Sequence, residues 1–218
     1  MPNFLVDFLQ STAEYQNWGE WNIVIVSFWG TVFLTLLQWR GMWQQNRLIW
    51  KNHSGEAFST PLTIFTVSFF ATFFCYGWII KSLAPVINGS LALPFLTALL
   101  GLKKFKGFRK TDWILIVFYL SLIPAIIILP YPKTVMSINI FSTFIFLLLQ
   151  LAELVKSPSR GVLGGEYILS FLASYFFWST YGISIGDPII STGSPTMLIM
   201  WSVTGLVWLK KPEAGFES

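Results

Sequence analysis

The sequence predicts an all-α membrane protein: seven transmembrane helices, built as two parallel three-helix repeats joined by a linker helix (3-1-3). Three observations carry this fold class. Only 11% of the 218 residues are charged, whereas 54% are hydrophobic and 18% aromatic. A soluble domain carries roughly 25% charged residues, and one of this size could neither bury nor cover so much apolar surface. Second, the charges leave seven windows free of Lys, Arg, Asp and Glu: 21–39, 57–80, 82–102, 113–132, 134–152, 167–186 and 188–209. About 20 apolar residues cross the hydrocarbon core as a helix, whereas barrel strands are about half that length and alternate polar with apolar. Third, the chain repeats itself at a fixed offset. The same composition excludes disorder, a coiled coil and a disulfide scaffold.

Residues 1–20 form an extracytoplasmic segment with Asp7, Glu14 and Glu20 but no Lys or Arg. It lacks the basic start and long apolar run of a cleavable signal. Phe4, Leu5, Phe8 and Leu9 suit a short interfacial helix there. The first window ends at Arg40, and Glu56 and Lys81 bracket the second. Pro85, Asn88, Gly89 and Pro94 interrupt the third, which is tolerated where they face protein or a water-filled cavity. The basic stretch from Lys103 to Lys110 precedes the fourth and suits an anionic leaflet. Lys133 introduces the fifth, Lys156 and Arg160 follow it, and Asp187 separates the sixth from the seventh. The repeats then occupy 21–102 and 133–209, with the basic loop and linker helix at 103–132 and a cytoplasmic tail at 210–218.

Alternate compartments collect 12 and 2 of the Lys and Arg residues. The basic side is cytoplasmic, the N-terminus is outside and the C-terminus inside, as an odd helix count requires. The expected location is a multi-pass position in the plasma (inner) membrane if the source is prokaryotic. The net charge of +4 follows from these loops and calls for no nucleic-acid partner.

Enzymatic chemistry finds few residues to use. Cys75 is the single cysteine and His53 the single histidine. A disulfide, a thiolate metal site and a buried Ser–His dyad are therefore out of reach. No acidic pair lies within a window to hold a metal, and no Walker-type glycine loop is present. A retinal protein of seven helices needs a lysine in its last span, and 188–209 has none. Neither catalytic residues nor a cofactor or metal are expected.

Shifting the chain by 105 residues places Gln45 on Gln150, Lys51 on Lys156, Ser54 on Ser159, Tyr76 on Tyr181, Gly77 on Gly182 and Ile80 on Ile185. Windows one to three fall on five to seven, and window four stands alone. Each triplet has an odd number of helices, so the extra helix gives both the same orientation, with a cavity on the axis between them. The first copy reads Gln44-Gln45, then Ser54-Gly55-Glu56-Ala57-Phe58-Ser59, then Tyr76-Gly77; the second reads Leu149-Gln150, Lys156-Ser157, Gly161-Val162-Leu163, then Trp178-Ser179-Thr180-Tyr181-Gly182 and Asp187-Pro188. Over about residues 22–209 this resembles the PQ-loop membrane transporter superfamily, and within it the SWEET and SemiSWEET sugar transporters.

The resemblance implies alternating access, with a Trp and an Asn from each repeat binding sugar. Here Trp178 stands in the second repeat opposite Phe73, and Asn88 in the first opposite Gly193 and Ser194. Both prolines of the Pro-Gln motif are replaced, by Gln44 and Leu149, which leaves Pro61 as the nearest hinge. The resemblance also implies an outer gate of Tyr76, Tyr181, Lys81 and Asp187, with Lys81 and Asp187 paired, and the repeat alignment favours a symmetric inner gate of Gln45 and Gln150. The expected partners are the lipid bilayer and a small polar solute, a sugar favoured; a homo-oligomer is left open. With no Asp, Glu, Lys, Arg or His inside any window, passive transport is expected. An amino-acid carrier, or a non-transporting receptor or assembly protein of the same fold, are the alternative readings.

Overall fold

Local chemistry at the helix ends sets the frame. The computed structural model describes residues 3–213; residues 1–2 of the N-terminal segment and 214–218 of the tail lie outside it. The chain is all-α, with no strand among the described residues. The segment ahead of the first window folds as α1 (Phe4–Gln10) and the one-turn α2 (Ala13–Gln16), and the Thr12 hydroxyl caps α2. The Asn22 side chain accepts from the Ile25 N–H and starts α3 (Ile23–Lys51). Ser59 does the same for Leu62, with Pro61 in the first turn, and starts α4 (Thr60–Ile79). These caps occupy N–H groups that a helix cannot bond internally. The Arg109 N–H donates to Asp112 at the head of α7 (Lys110–Ile128). There follow α8 (Pro132–Lys156), α9 (Gly165–Ser184) and α10 (Pro188–Lys210).

Two expectations change in detail. The first helix does not stop at Arg40 but continues to Lys51, with Arg40 and Arg47 on its exposed face. The third window is two helices, α5 (Leu83–Gly89) and α6 (Ala92–Phe105). Between them Ser90, Leu91 and Leu93 bond three residues back instead of four, a tighter winding that interrupts the α-helix. The Ser90 hydroxyl there accepts from the Trp39 indole at 2.9 Å.

Five segments are long and apolar enough to cross a membrane: α3, α4, the α5–α6 pair, α7 and α8. The helices α9 and α10 have the length but carry more Ser, Thr and Gly. Large apolar side chains stand exposed along the bundle, among them Val117 and Ile128 on α7, Phe141 on α8, Leu169 on α9 and Leu206 on α10. A surface this apolar needs lipid rather than water around it, and the protein is a multi-pass integral membrane protein.

In the first half the α5–α6 pair packs against both α3 and α4; in the second, α10 packs against both α8 and α9. The halves meet through α3 on α9 and α4 on α8, and α7 lies against α4 and α8. The Tyr-Gly glycines bring helices together: a Cβ on Gly77 would come within 2.8 Å of the Val86 N, and one on Gly182 within 2.5 Å of the Ser191 N. Val86 and Ser191 are themselves 105 residues apart, so the offset read in sequence recurs as a contact.

Candidate functional site

A concavity of about 590 Å³ is an apolar groove between α8 and α10, lined among others by Phe141 and Phe144. Polar side chains converge elsewhere, on a cavity of about 50 Å³ between the two halves. Trp178, Asn88, Phe73, Ser194 and Gly193 all line it, together with Gln38, Ser174 and Tyr175. The Phe73 and Trp178 rings meet edge to face, centroids 5.2 Å apart. Asn88 donates to Thr35 Oγ1 at 2.8 Å and to Gln38 Oε1 at 3.0 Å. Gln38 then donates to Ser174 Oγ at 2.9 Å. This line of amides and hydroxyls crosses from the first half to the second. From sequence alone Gln38 reads as a helix–helix contact, and nothing singles out Thr35 or Ser174.

A void of about 50 Å³ holds roughly four waters and falls far below the ~300 Å³ at which ligand pockets begin. Phe70 and Phe171 of its wall belong to an aromatic cluster with Phe95, Tyr167 and Trp201, ring centroids 5.0 to 6.4 Å apart and mostly edge to face or tilted. Toward either end of the bundle, hydrogen bonds join the two halves.

At one end the closure is built from glutamines. Gln45, on α3, donates to the Val162 carbonyl at 2.7 Å and accepts from the Gly164 N–H at 2.9 Å. Gln150, on α8, donates to the Ala57 carbonyl at 2.8 Å and accepts from the Ser59 N–H at 2.9 Å. Every member of the second set is 105 residues from its counterpart in the first. Both glutamines are fully buried, and each ties its own half to the backbone entering the other. Nearby, Lys106 pairs with Glu153 across the halves.

At the other end lie Tyr76 and Tyr181. The Tyr76 hydroxyl donates to Asp187 Oδ2 at 2.7 Å, while Asp187 Oδ1 accepts from the Ile189 and Ile190 N–H groups as the cap of α10. Among the described residues Lys81 forms no ion pair with Asp187; it is exposed, and its φ is +54°. The expected Lys81–Asp187 contact is thus replaced here by Tyr76–Asp187, because Asp187 is buried and already turned inward by its capping bonds. In register, Lys81 corresponds to Gly186 and Ser82 to Asp187. Tyr181 faces Ser82, with the hydroxyls 2.7 Å apart, and both reach Glu14 Oε1. That oxygen also accepts from the Leu83 and Ala84 N–H groups at 2.8 and 3.1 Å. Glu14 is fully buried. Reading the N-terminal segment as an extracytoplasmic stretch with a short interfacial helix gave no reason to single it out; the serine standing in register with Asp187 is the signal that points to it.

Set against family models, curated proteins and solved structures, the chain matches none of them.

Proposed function

We propose that the protein is a membrane carrier that moves a small uncharged polar solute, a sugar favoured, by alternating access and without proton coupling. The observation that carries this reading is the pair of closures. Each is made across the two halves, the glutamine end obeys one sequence register strictly, and a small, mainly apolar cavity with a few convergent amides and hydroxyls lies between them. A closure of backbone-directed amides at one end and of tyrosine hydroxyls at the other can open separately, as alternating access requires. The cavity wall offers amides, hydroxyls and an indole but no carboxylate, amine or imidazole, which suits a neutral solute rich in hydroxyls stacked on an aromatic face.

In this reading the seven windows are seven spans in a 3-1-3 layout, as in the SWEET-like members of the PQ-loop superfamily that the sequence resembles. The glutamine end, flanked by the basic loops, is cytoplasmic. The tyrosine end and the N-terminal segment are outside. The small volume of the cavity is then that of an occluded state, and a solute enters only after one set of cross-half bonds parts.

The test is uptake by the purified protein in proteoliposomes, over a panel of labelled sugars and amino acids, with and without a pH gradient. Equilibrating sugar uptake that ignores the gradient, and is abolished by Trp178→Ala and by Asn88→Ala in folded protein, is expected. Uptake of amino acids alone moves the assignment to an amino-acid carrier. No uptake of any solute returns it to a receptor or assembly protein, and accumulation driven by external acid overturns passive transport.

A further inference from the structure

We propose that Glu14 is the carboxylate the first repeat lacks, and that α1–α2 form a strap that latches the outer closure. This rests on the reading of the tyrosine end as a gate. In the second half Asp187 performs two tasks: it caps the first turn of α10 and holds the tyrosine of the opposite half, Tyr76. The residue in register with it, Ser82, makes no capping bond to its own helix. Both tasks fall instead to Glu14, which accepts the Leu83 and Ala84 N–H groups at the head of α5 and the hydroxyl of Tyr181 from the opposite half. One carboxylate has been exchanged for another that reaches the same place from 68 residues earlier in the chain.

The strap is held for this purpose. The Ala13 N–H donates to the Lys81 carbonyl at 3.2 Å. The Phe8 ring lies 3.7 Å from the Trp78 ring by centroid, and Phe4 stacks on the same indole at 5.7 Å. Asn17 bonds back to the Ala13 carbonyl and accepts from Asn22, the cap of α3. Four donors converge on Glu14 Oε1, whereas Oε2 is buried without a partner. A carboxylate with one idle buried oxygen is costly to hold, so the latch is weaker than its bond count and can release. Because Glu14 joins Tyr181 of one half to α5 of the other, opening this end parts that contact.

The experiment reads access, not transport. Cys75→Ala removes the native thiol, Ser194→Cys places a reporter in the cavity, and a membrane-impermeant maleimide is added on the N-terminal side. Glu14→Ala is expected to speed labelling roughly tenfold to a hundredfold, the effect of losing a charged hydrogen-bond partner on a two-state closure. Adding Ser82→Asp in the same chain restores the carboxylate at its register position and is expected to bring most of that rate back down. If Glu14→Ala does not fold, Tyr181→Phe carries the test and is expected to raise labelling roughly tenfold. An unchanged rate in Glu14→Ala, or a raised rate that Ser82→Asp leaves unaltered in folded protein, overturns the latch and makes the strap a plain anchor. Labelling that follows these expectations while no solute is taken up keeps the latch and removes the carrier.

Discussion

At the glutamine end, the two halves use the same side chain, in the same register, for the same pair of bonds. At the tyrosine end, one half carries Asp187 and the other a serine assisted by Glu14 from outside the repeat. The difference follows from what each closure binds. A glutamine that must donate to a carbonyl and accept from an N–H two residues further along has no substitute, since only a primary amide does both in one plane. A tyrosine hydroxyl asks only for an acceptor. Any carboxylate within reach will serve, so that end tolerates replacement by a distant segment, while the backbone-directed end does not.

Removing the glutamines tests this most severely. Gln45→Leu strands the Val162 carbonyl and the Gly164 N–H; Gln150→Leu strands the Ala57 carbonyl and the Ser59 N–H. Each substitution is expected to cost roughly 2–5 kcal/mol, from two buried or partly buried backbone groups left unpaired. Thermal unfolding in detergent should show nearly equal losses. Unequal losses would break the equivalence of the two sites. Replacement by Glu should be almost as damaging, because the second oxygen then faces a carbonyl.

The centre comes next, where the halves diverge. Asn88→Leu breaks the line from Thr35 through Gln38 to Ser174 and is expected to cost about 1–3 kcal/mol. At Ser194, whose hydroxyl bonds only the Ile190 carbonyl of its own helix, substitution by Ala is expected to cost well under 1 kcal/mol. Unfolding midpoints of the two variants, measured side by side, check this ratio. A large loss at Ser194 would mean that the second half carries polar structure the bond pattern does not reveal.

Much of this was legible in the sequence, for identifiable reasons. Helices follow from windows that exclude charge, because charge is costly in lipid; the same criterion cut α3 short, because long arginines can ride on an exposed face without ending a helix. The offset of 105 pointed to Gln45 and Gln150 as a pair, yet it could not say that each binds the other half's backbone. Five candidate residues were named from the resemblance, and they share one cavity; Gln38 reads only as a helix contact and Ser174 not at all, because a single polar residue on an apolar helix has no pattern of its own. Glu14 was illegible for a stronger reason. It lies outside the repeat, among other polar residues, and its role exists only once Ser82 is compared with Asp187.

The smallest effect separates the backbone of the tyrosine end from its charges. Lys81 and Gly186 hold the same place in their halves, between the second and third helices, and both are left-handed, at φ +54° and +67°. A side chain in that conformation costs about 1–2 kcal/mol, and glycine gives back about 0.5–1 kcal/mol of that through its greater freedom when unfolded. Lys81→Gly should therefore stabilise by about 0.5 kcal/mol, and Gly186→Ala should destabilise by a similar amount. A Cβ at 186 would meet nothing within 4 Å, so the loss there is conformational alone. The charge of Lys81 is a separate matter. If it holds Asp187 in some populated state, Lys81→Glu will speed cavity labelling and Asp187→Lys in the same chain will slow it again. The structure gives Asp187 to Tyr76, and an exposed pair is worth only about 0–1 kcal/mol. The expected result is that Lys81→Glu leaves both the unfolding midpoint and the labelling rate close to those of the starting protein, while Lys81→Gly raises the midpoint. A change in labelling on charge reversal, with none in stability, would return Lys81 to the gate and make Tyr76–Asp187 only one of two contacts that Asp187 exchanges as the end opens.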